Sequence, residues 1–279
     1  IDSSRKHLLF KSARTLGAPA YVYFTDQIME NISVFDSLRN LSFFKLNYAV
    51  KANPNINILR IMLNQGMGLD VVSPGELDLA LELGFKKDRI YFTPSNAPEE
   101  EIHYAFQKNI IPILDHIHGL KFVAHGYSDR EIGIRINPAI EDGAYDKIQV
   151  GGKASKFGLP FVDLKEVSQI AENNQLRVVI LHAHVGSELS GLSSFKRLLH
   201  LFEQYHQLFP SLKAVNIGGG YPVNYSSEEL MWNPSELYDI LEKFHNKMGL
   251  QILTEPGKFL VSNAGFYVCD INRVKSVKN

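Results

Sequence analysis

Two hydrophobic periods alternate along this chain. Short β-rich runs, beginning with Phe44-Lys45-Leu46-Asn47-Tyr48-Ala49-Val50, Leu69-Asp70-Val71-Val72 and Arg89-Ile90-Tyr91-Phe92, are separated by stretches whose apolar residues fall three and four positions apart. Residues 110–114, 131–136, 177–181, 213–217 and 251–253 continue the series, so eight strands are expected. Eight strands alternating with helices predict an α/β fold, a closed (β/α)8 or TIM barrel.

The helical stripes face a core. Phe195, Leu198, Leu199, Phe202, Tyr205 and Phe209 repeat at helical spacing, as do Leu237, Ile240, Leu241 and Phe244. Ser73-Pro74-Gly75-Glu76 reads as an N-cap, a proline at the first helical position and a capping-box glutamate, opening a helix that ends near Gly84. Glu76 is therefore open to two readings, a cap carboxylate or a functional acid. Two segments fall outside the barrel. Residues 1–25 hold a helix-like piece and then Ala20-Tyr21-Val22-Tyr23-Phe24, a strand in want of a partner, while Phe266-Tyr267-Val268 and Asn272-Arg273-Val274-Lys275 also read as extended. The expected division is a barrel over 26–265 and a second β-rich unit, largely missing from this chain, that owns 1–25 and 266–279.

Composition narrows the class. With 45 % apolar and 21 % charged residues and a net charge of −1, the 279-residue chain has enough apolar surface to fold. It lacks the basic excess of a nucleic-acid binder. The single cysteine, Cys269, cannot form an intrachain disulfide, and no apolar run reaches the roughly 18 residues of a membrane span, so a cytoplasmic protein is expected. The chain opens at Ile1 without a basic-then-apolar leader, and any targeting signal is expected to be absent or removed.

In a barrel of this kind, chemistry gathers at the C-terminal strand ends. Lys51 follows the first barrel strand, Asp70 lies in the second, Arg135 and Asn137 end the fifth, His182 and His184 the sixth, Gly218-Gly219-Gly220 the seventh and Glu255 the eighth. An ammonium directly after an apolar strand is costly unless paired or consumed by a covalent bond, so Lys51 is either in an ion pair with Asp70 or the seat of an imine. The three glycines offer unobstructed amides where barrels commonly hold phosphate, or simply make a tight turn. Glu255, in Thr254-Glu255-Pro256-Gly257, is a surface turn acid or a functional carboxylate. His182 and His184 alternate onto one face, but no carboxylate or cysteine completes a ligand spacing, and no metal is expected. Residues 137–154, with Gly143, Gly151 and Gly152 among polar neighbours, read as a mobile lid. Together, a covalent lysine, a phosphate cradle, an imidazole for a ring face and an acid for a ring nitrogen describe a site for pyridoxal 5′-phosphate.

The segments Tyr48-Ala49-Val50-Lys51-Ala52-Asn53, Gly68-Leu69-Asp70-Val71-Val72-Ser73-Pro74-Gly75-Glu76-Leu77, Ser155-Lys156-Phe157-Gly158, His182-Ala183-His184-Val185-Gly186-Ser187, Gly218-Gly219-Gly220-Tyr221 and Glu255-Pro256-Gly257 resemble the fold-type III pyridoxal phosphate decarboxylases, the ornithine/diaminopimelate decarboxylase family. The resemblance implies an alanine racemase-like barrel with a C-terminal β domain and a head-to-tail homodimer whose active sites lie between subunits. It implies that Lys51 carries the cofactor, His184 stacks on its ring, Ser187, Gly218, Gly219 and Gly220 hold its phosphate, and Glu255 pairs with the pyridine nitrogen. Asp70 and Arg135 would line the same pocket, with Gly257 beside the cofactor. Lys258 stands where the family has arginine, giving up a bidentate fork for a carboxylate or phosphate. The related racemases place an arginine where Glu255 stands, so Glu255 favours decarboxylation. The implied reaction is loss of CO2 from an amino acid, meso-diaminopimelate to L-lysine foremost. Ornithine, arginine or lysine decarboxylation, a non-catalytic cofactor-binding barrel and a metal-dependent hydrolase are the alternatives. The family's cysteine and tyrosine from the C-terminal domain would lie past Asn279, so this stretch alone is expected to be inactive.

Overall fold

The computed structural model describes residues 3–140, 142, 155–225 and 229–276. Its elements run α1 (Ser3–Leu16), β1 (Ala20–Tyr23), α2 (Thr25–Ser33), α3 (Asp36–Arg39), β2 (Phe44–Ala49), α4 (Ile56–Asn64), β3 (Gly68–Val71), α5 (Pro74–Glu82), β4 (Ile90–Phe92), α6 (Glu99–Gln107), β5 (Ile113–Leu114), α7 (Ile117–Gly126) and β6 (Glu131–Arg135). The second half adds α8 (Leu164–Asn173), β7 (Arg177–His182), α9 (Ser193–Tyr205), β8 (Ala214–Asn216), α10 (Pro234–Met248), β9 (Gln251–Thr254), α11 (Lys258–Val261) and β10 (Gly265–Val268).

Eight of these strands form one parallel sheet in the order β4-β3-β2-β9-β8-β7-β6-β5, and a lone parallel bridge from Phe92 to Pro112 joins its two edges into a barrel. The strands read as apolar runs because both faces are covered: five of the six residues of β7 are buried. Outside, α9 turns Phe195, Leu198, Leu199 and Phe202 to the core, and α10 turns Leu237, Leu241 and Phe244. Each fully buried side chain of this size contributes about 1.5–3 kcal/mol. Ile240 and Tyr205 are only partly buried, and Phe209 lies past the end of α9.

Three local expectations change. The fifth run, 110–114, shortens to Ile113–Leu114, because Ile110 closes the turn after α6 through its amide on Ala105 and Pro112 has no amide to give a ladder. At α5 Ser73 accepts from the Glu76 amide at 3.3 Å as a cap should, but the Glu76 carboxylate reaches the Val72 amide (2.8 Å), one residue further back than a capping box. The partner of β1 is β10, paired antiparallel with Tyr21 opposite Tyr267, while 272–275 joins no ladder among the described residues. This two-stranded ribbon stands apart from the barrel sheet, with α1, none of whose side chains is buried, alongside it. Of the 137–154 segment, residues 141 and 143–154 lie outside the described residues, and no described helix is long and apolar enough to cross a membrane.

Candidate active site at the mouth of the barrel

The barrel's C-terminal end carries buried polar side chains, Asp70, Thr93, Arg135, His182, Asn216, Thr254 and Glu255, with Asn47 lower down beside Gly68, the first residue of β3. Strand register sets their neighbours. Arg135 of β6 lies opposite His182 of β7, and His182 opposite Asn216 of β8.

Glu255 lies just past β9 and is buried. Its Oε1 accepts from Nε2 of His182 at 2.9 Å and its Oε2 from Nδ2 of Asn216 at 3.0 Å. Burial by itself would raise this carboxyl, but in acid the charge and the hydrogen bond of His182, then the charges of Lys51 and His184, outweigh it and hold the pKa down to about 2. Burial pushes His182 the other way, below the usual imidazole range, and its Nδ1 has no partner, so the ring is neutral with its proton on Nε2. His182 is committed to Glu255, and no group of three metal-ligating side chains gathers among the described residues.

The glycine turn is fastened to the same machinery. The amide of Gly218 donates to Oδ1 of Asn216 (2.9 Å), and its carbonyl accepts from the Glu255 amide (3.0 Å) and from Oγ1 of Thr254 (2.7 Å). Gly219 donates to Nδ1 of His184 at 3.1 Å. Of the three amides only that of Gly220 has no acceptor among the described residues. Gly218 (φ +69) and Gly220 (φ +101) hold left-handed backbone, and a Cβ at Gly218 would lie 2.6 Å from Nδ1 of His184, while one at Gly220 would strike the Gly186 carbonyl. Burial and the neighbouring Lys51 press His184 down to about 3, so this ring is also neutral, with its Nδ1 lone pair engaged.

Lys51 lies on the 3-10 turn Val50–Ala52 that follows β2, is exposed, and forms no ion pair with Asp70, neither of whose carboxylate oxygens has a partner. That rules out the first of its two sequence readings. Burial, then the charge of Glu255, raises Asp70 to about 7 against the pull of Lys51 and Arg135. Arg135 is buried with its guanidinium 4.8 Å from the Phe157 ring centre, and burial lowers its pKa against the attraction of Glu255 and Asp70.

Lys51, His184, Ser187, Gly219, Gly220, Glu255, Gly257 and Lys258 line one cavity of about 250 Å³. Asp70, Gly218 and Arg135 do not line it. Two larger clefts, of about 700 and 630 Å³, lie against α2 and around the N-terminal ends of β2 and β3, and neither reaches Lys51 or Glu255. Lys258 has a partner of its own, with its Nζ 2.5 Å from Oε1 of Glu188. Sequence reasoning passed over Asn216 and Glu188 and gave His182 no role beside Glu255. Asn216 and His182 did carry a signal, since each is the polar last residue of a strand and directly follows an apolar run.

These groups fit a phosphorylated pyridine aldehyde. A free amine, a neutral imidazole, a turn that any Cβ would obstruct, one open amide and a carboxylate fixed in its ionised form face a single cavity.

The model of the pyridoxal-dependent decarboxylase family's pyridoxal-binding domain matches residues 26–262. The chain is 31 % identical over 277 residues to diaminopimelate decarboxylase of Haemophilus influenzae, covering 95 % of this chain and 66 % of the relative. It is 28 % identical to that of Aquifex aeolicus, covering 94 % and 64 %. The crystal structure of Helicobacter pylori diaminopimelate decarboxylase complexed with L-lysine matches with a TM-score of 0.82 at 29 % identity, over 93 % of this chain and 68 % of that one. The chain thus spans just under two-thirds of the length of the first two relatives.

Proposed function

This chain belongs to the pyridoxal-dependent decarboxylases, and from that premise we propose that it binds pyridoxal 5′-phosphate at the barrel mouth and decarboxylates an amino acid, with meso-diaminopimelate converted to L-lysine. The observation that carries the reading is that Lys51, His184, the glycine turn and Glu255, which follow four different strands, converge on one cavity.

When bound, the cofactor supplies a sink for the electron pair left behind as CO2 departs. Lys51, which forms no ion pair among the described residues, would hold the cofactor's aldehyde carbon through its amine. His184, tethered through Nδ1 to the Gly219 amide, offers the flat face of a neutral ring. Ser187 and the glycine turn hold the phosphate, Gly220 through its open amide, with Gly257 alongside. Glu255, ionised and fixed by two donors, keeps a proton on the pyridine nitrogen. Asp70 and Arg135 supply the surrounding field, and Lys258 faces the substrate. In the same proposal, β1 and β10 with residues 1–25 and 266–279 belong to a second β-rich unit beyond a barrel of 26–265. The working protein is a cytoplasmic homodimer sharing its sites. Support for this part is the ribbon's separation from the barrel sheet and the relatives' greater length.

The test is spectroscopic and chemical. The purified full-length protein should show a visible cofactor band that Lys51→Ala abolishes, and should release CO2 from meso-diaminopimelate faster than from ornithine, arginine or lysine. No band, or a band that survives Lys51→Ala, would sink the reading.

A further inference from the structure

The end of the barrel away from the candidate active site gathers more positive charge than packing requires. The cleft of about 630 Å³ around the N-terminal ends of β2 and β3 is lined by three cations, Arg39, Lys45 and Arg89, against a single carboxylate, Asp36. The two arginines have a structural duty. Nη2 of Arg39 donates to the Gln65 carbonyl (2.5 Å) and Nη2 of Arg89 to that of Gly66 (2.9 Å), which satisfies the turn that ends α4, and Nη1 of Arg39 reaches Oδ1 of Asp36 at 2.8 Å. Arg89 has no ion pair among the described residues, and Asp88 beside it does not line the cleft.

Lys45 has no such duty. It is half-buried, with neither a hydrogen-bond nor an ion-pair partner among the described residues. Register places it beside Leu253, which packs with Ile113, Ile180 and Ala214 inside the barrel, so an apolar side chain at this position would serve the core better. Two residues further along β2, on the same face, Asn47 is fully buried with neither amide atom hydrogen-bonded. The N-terminal face of such a barrel ordinarily serves stability, yet here like charges are held where they repel one another. An anion seated among them turns that repulsion into attraction.

We propose that this cleft is a second ligand site and that it binds a phosphate group, free or as a monoester. Lys45 and the remaining nitrogens of Arg89 take the phosphate oxygens, Arg39 adds its charge while staying on Gln65 and Asp36, and Asn40 and Ser42 offer polar contacts to what the phosphate carries. Asp36, the one carboxylate on the wall, is already paired with Arg39 and does not oppose the ligand as a free charge. The site stands independently of the reaction proposed for the other end of the barrel.

The experiment uses the full-length, cofactor-loaded protein, so that the glycine turn already holds the cofactor's own phosphate. Calorimetric titration with inorganic phosphate and with glycerol phosphate, at constant ionic strength, should show a saturable site. Tighter binding of the ester assigns the site to a monoester, and equal binding assigns it to the free anion. Lys45→Met should weaken binding of both probes about tenfold or more, the loss of one charge-assisted bond, while Lys45→Arg should retain it. Saturating probe should raise the Tm of the wild type by about 5 °C and leave that of Lys45→Met unmoved. Without probe, Lys45→Met should melt no lower than the wild type, since only a repulsion is lost; a lower Tm would make Lys45 a structural residue and count against the site. No heat from either probe, equal affinity in Lys45→Met and wild type, or a Tm gain reproduced by sodium chloride at the same ionic strength would overturn the proposal.

Discussion

Two walls of the barrel interior, which meet where β2 pairs with β9, treat their polar groups in contrary ways. On the wall of β7, β8 and β9 the Glu255 carboxylate has a donor on each oxygen, and the glycine turn is tied to Asn216, Thr254 and His184. On the wall of β2, β3 and β4, both amide atoms of Asn47, both oxygens of Asp70 and the Thr93 hydroxyl have no hydrogen-bond partner. The contrast sets the two buried carboxyls apart: Glu255 at about 2 is an anion, and Asp70 at about 7 exchanges its proton near neutrality. One wall is prearranged for a fixed charge. The other carries the cost of about 1–3 kcal/mol for each unsatisfied buried group, a cost concentrated where function needs it.

The strongest way to break this comparison is Glu255→Ala. It should keep the cofactor band and lose about 10²-fold or more in kcat, as expected for removal of a preorganised charge. Wild-type turnover would make the well-partnered wall mere scaffolding. A smaller effect is expected from His182→Ala, which strips one donor from Glu255. Turnover should fall about tenfold, and the acid limb of the pH–rate profile should move to higher pH because the ionised carboxylate loses a bond that favours it.

The smallest effect sharpens the other wall. Asp70 holds a proton up to about pH 7 in the fold and only up to about pH 4 when unfolded. The stability it confers is full below about pH 4 and lost as pH rises toward 7. Glu255 has the opposite sign, contributing above about pH 4.5 and losing that contribution as pH falls toward 2. Asp70→Asn should thus flatten the decline of Tm between pH 4 and 7, measured by melts across that range. A slope equal to wild type would mean the two walls titrate alike.

The barrel was legible because its strands are apolar on both faces and each is followed by a readable helix. Lys51, His184 and Glu255 were legible because polar residues at such strand ends break a strong pattern. What local pattern could not reveal was adjacency. Nothing near His182 says that its partner is Glu255, 73 residues on, since that contact follows only from the β7-β8-β9 order. Alternation put His182 and His184 on one face, but β7 ends at His182, and His184 turns instead to the Gly219 amide. Glu188 left no trace in the sequence, because a left-handed glutamate is imposed by the turn docked on Gly220 and not by its neighbours in the chain.

The single bridge between Phe92 and Pro112 has a mechanical meaning for the molecule. A hoop sewn shut by one stitch opens there first, and that seam lies three strands from β9 on one side and four on the other. Amide exchange there, at the far side of the barrel from Glu255, is where opening of the wall would first be read.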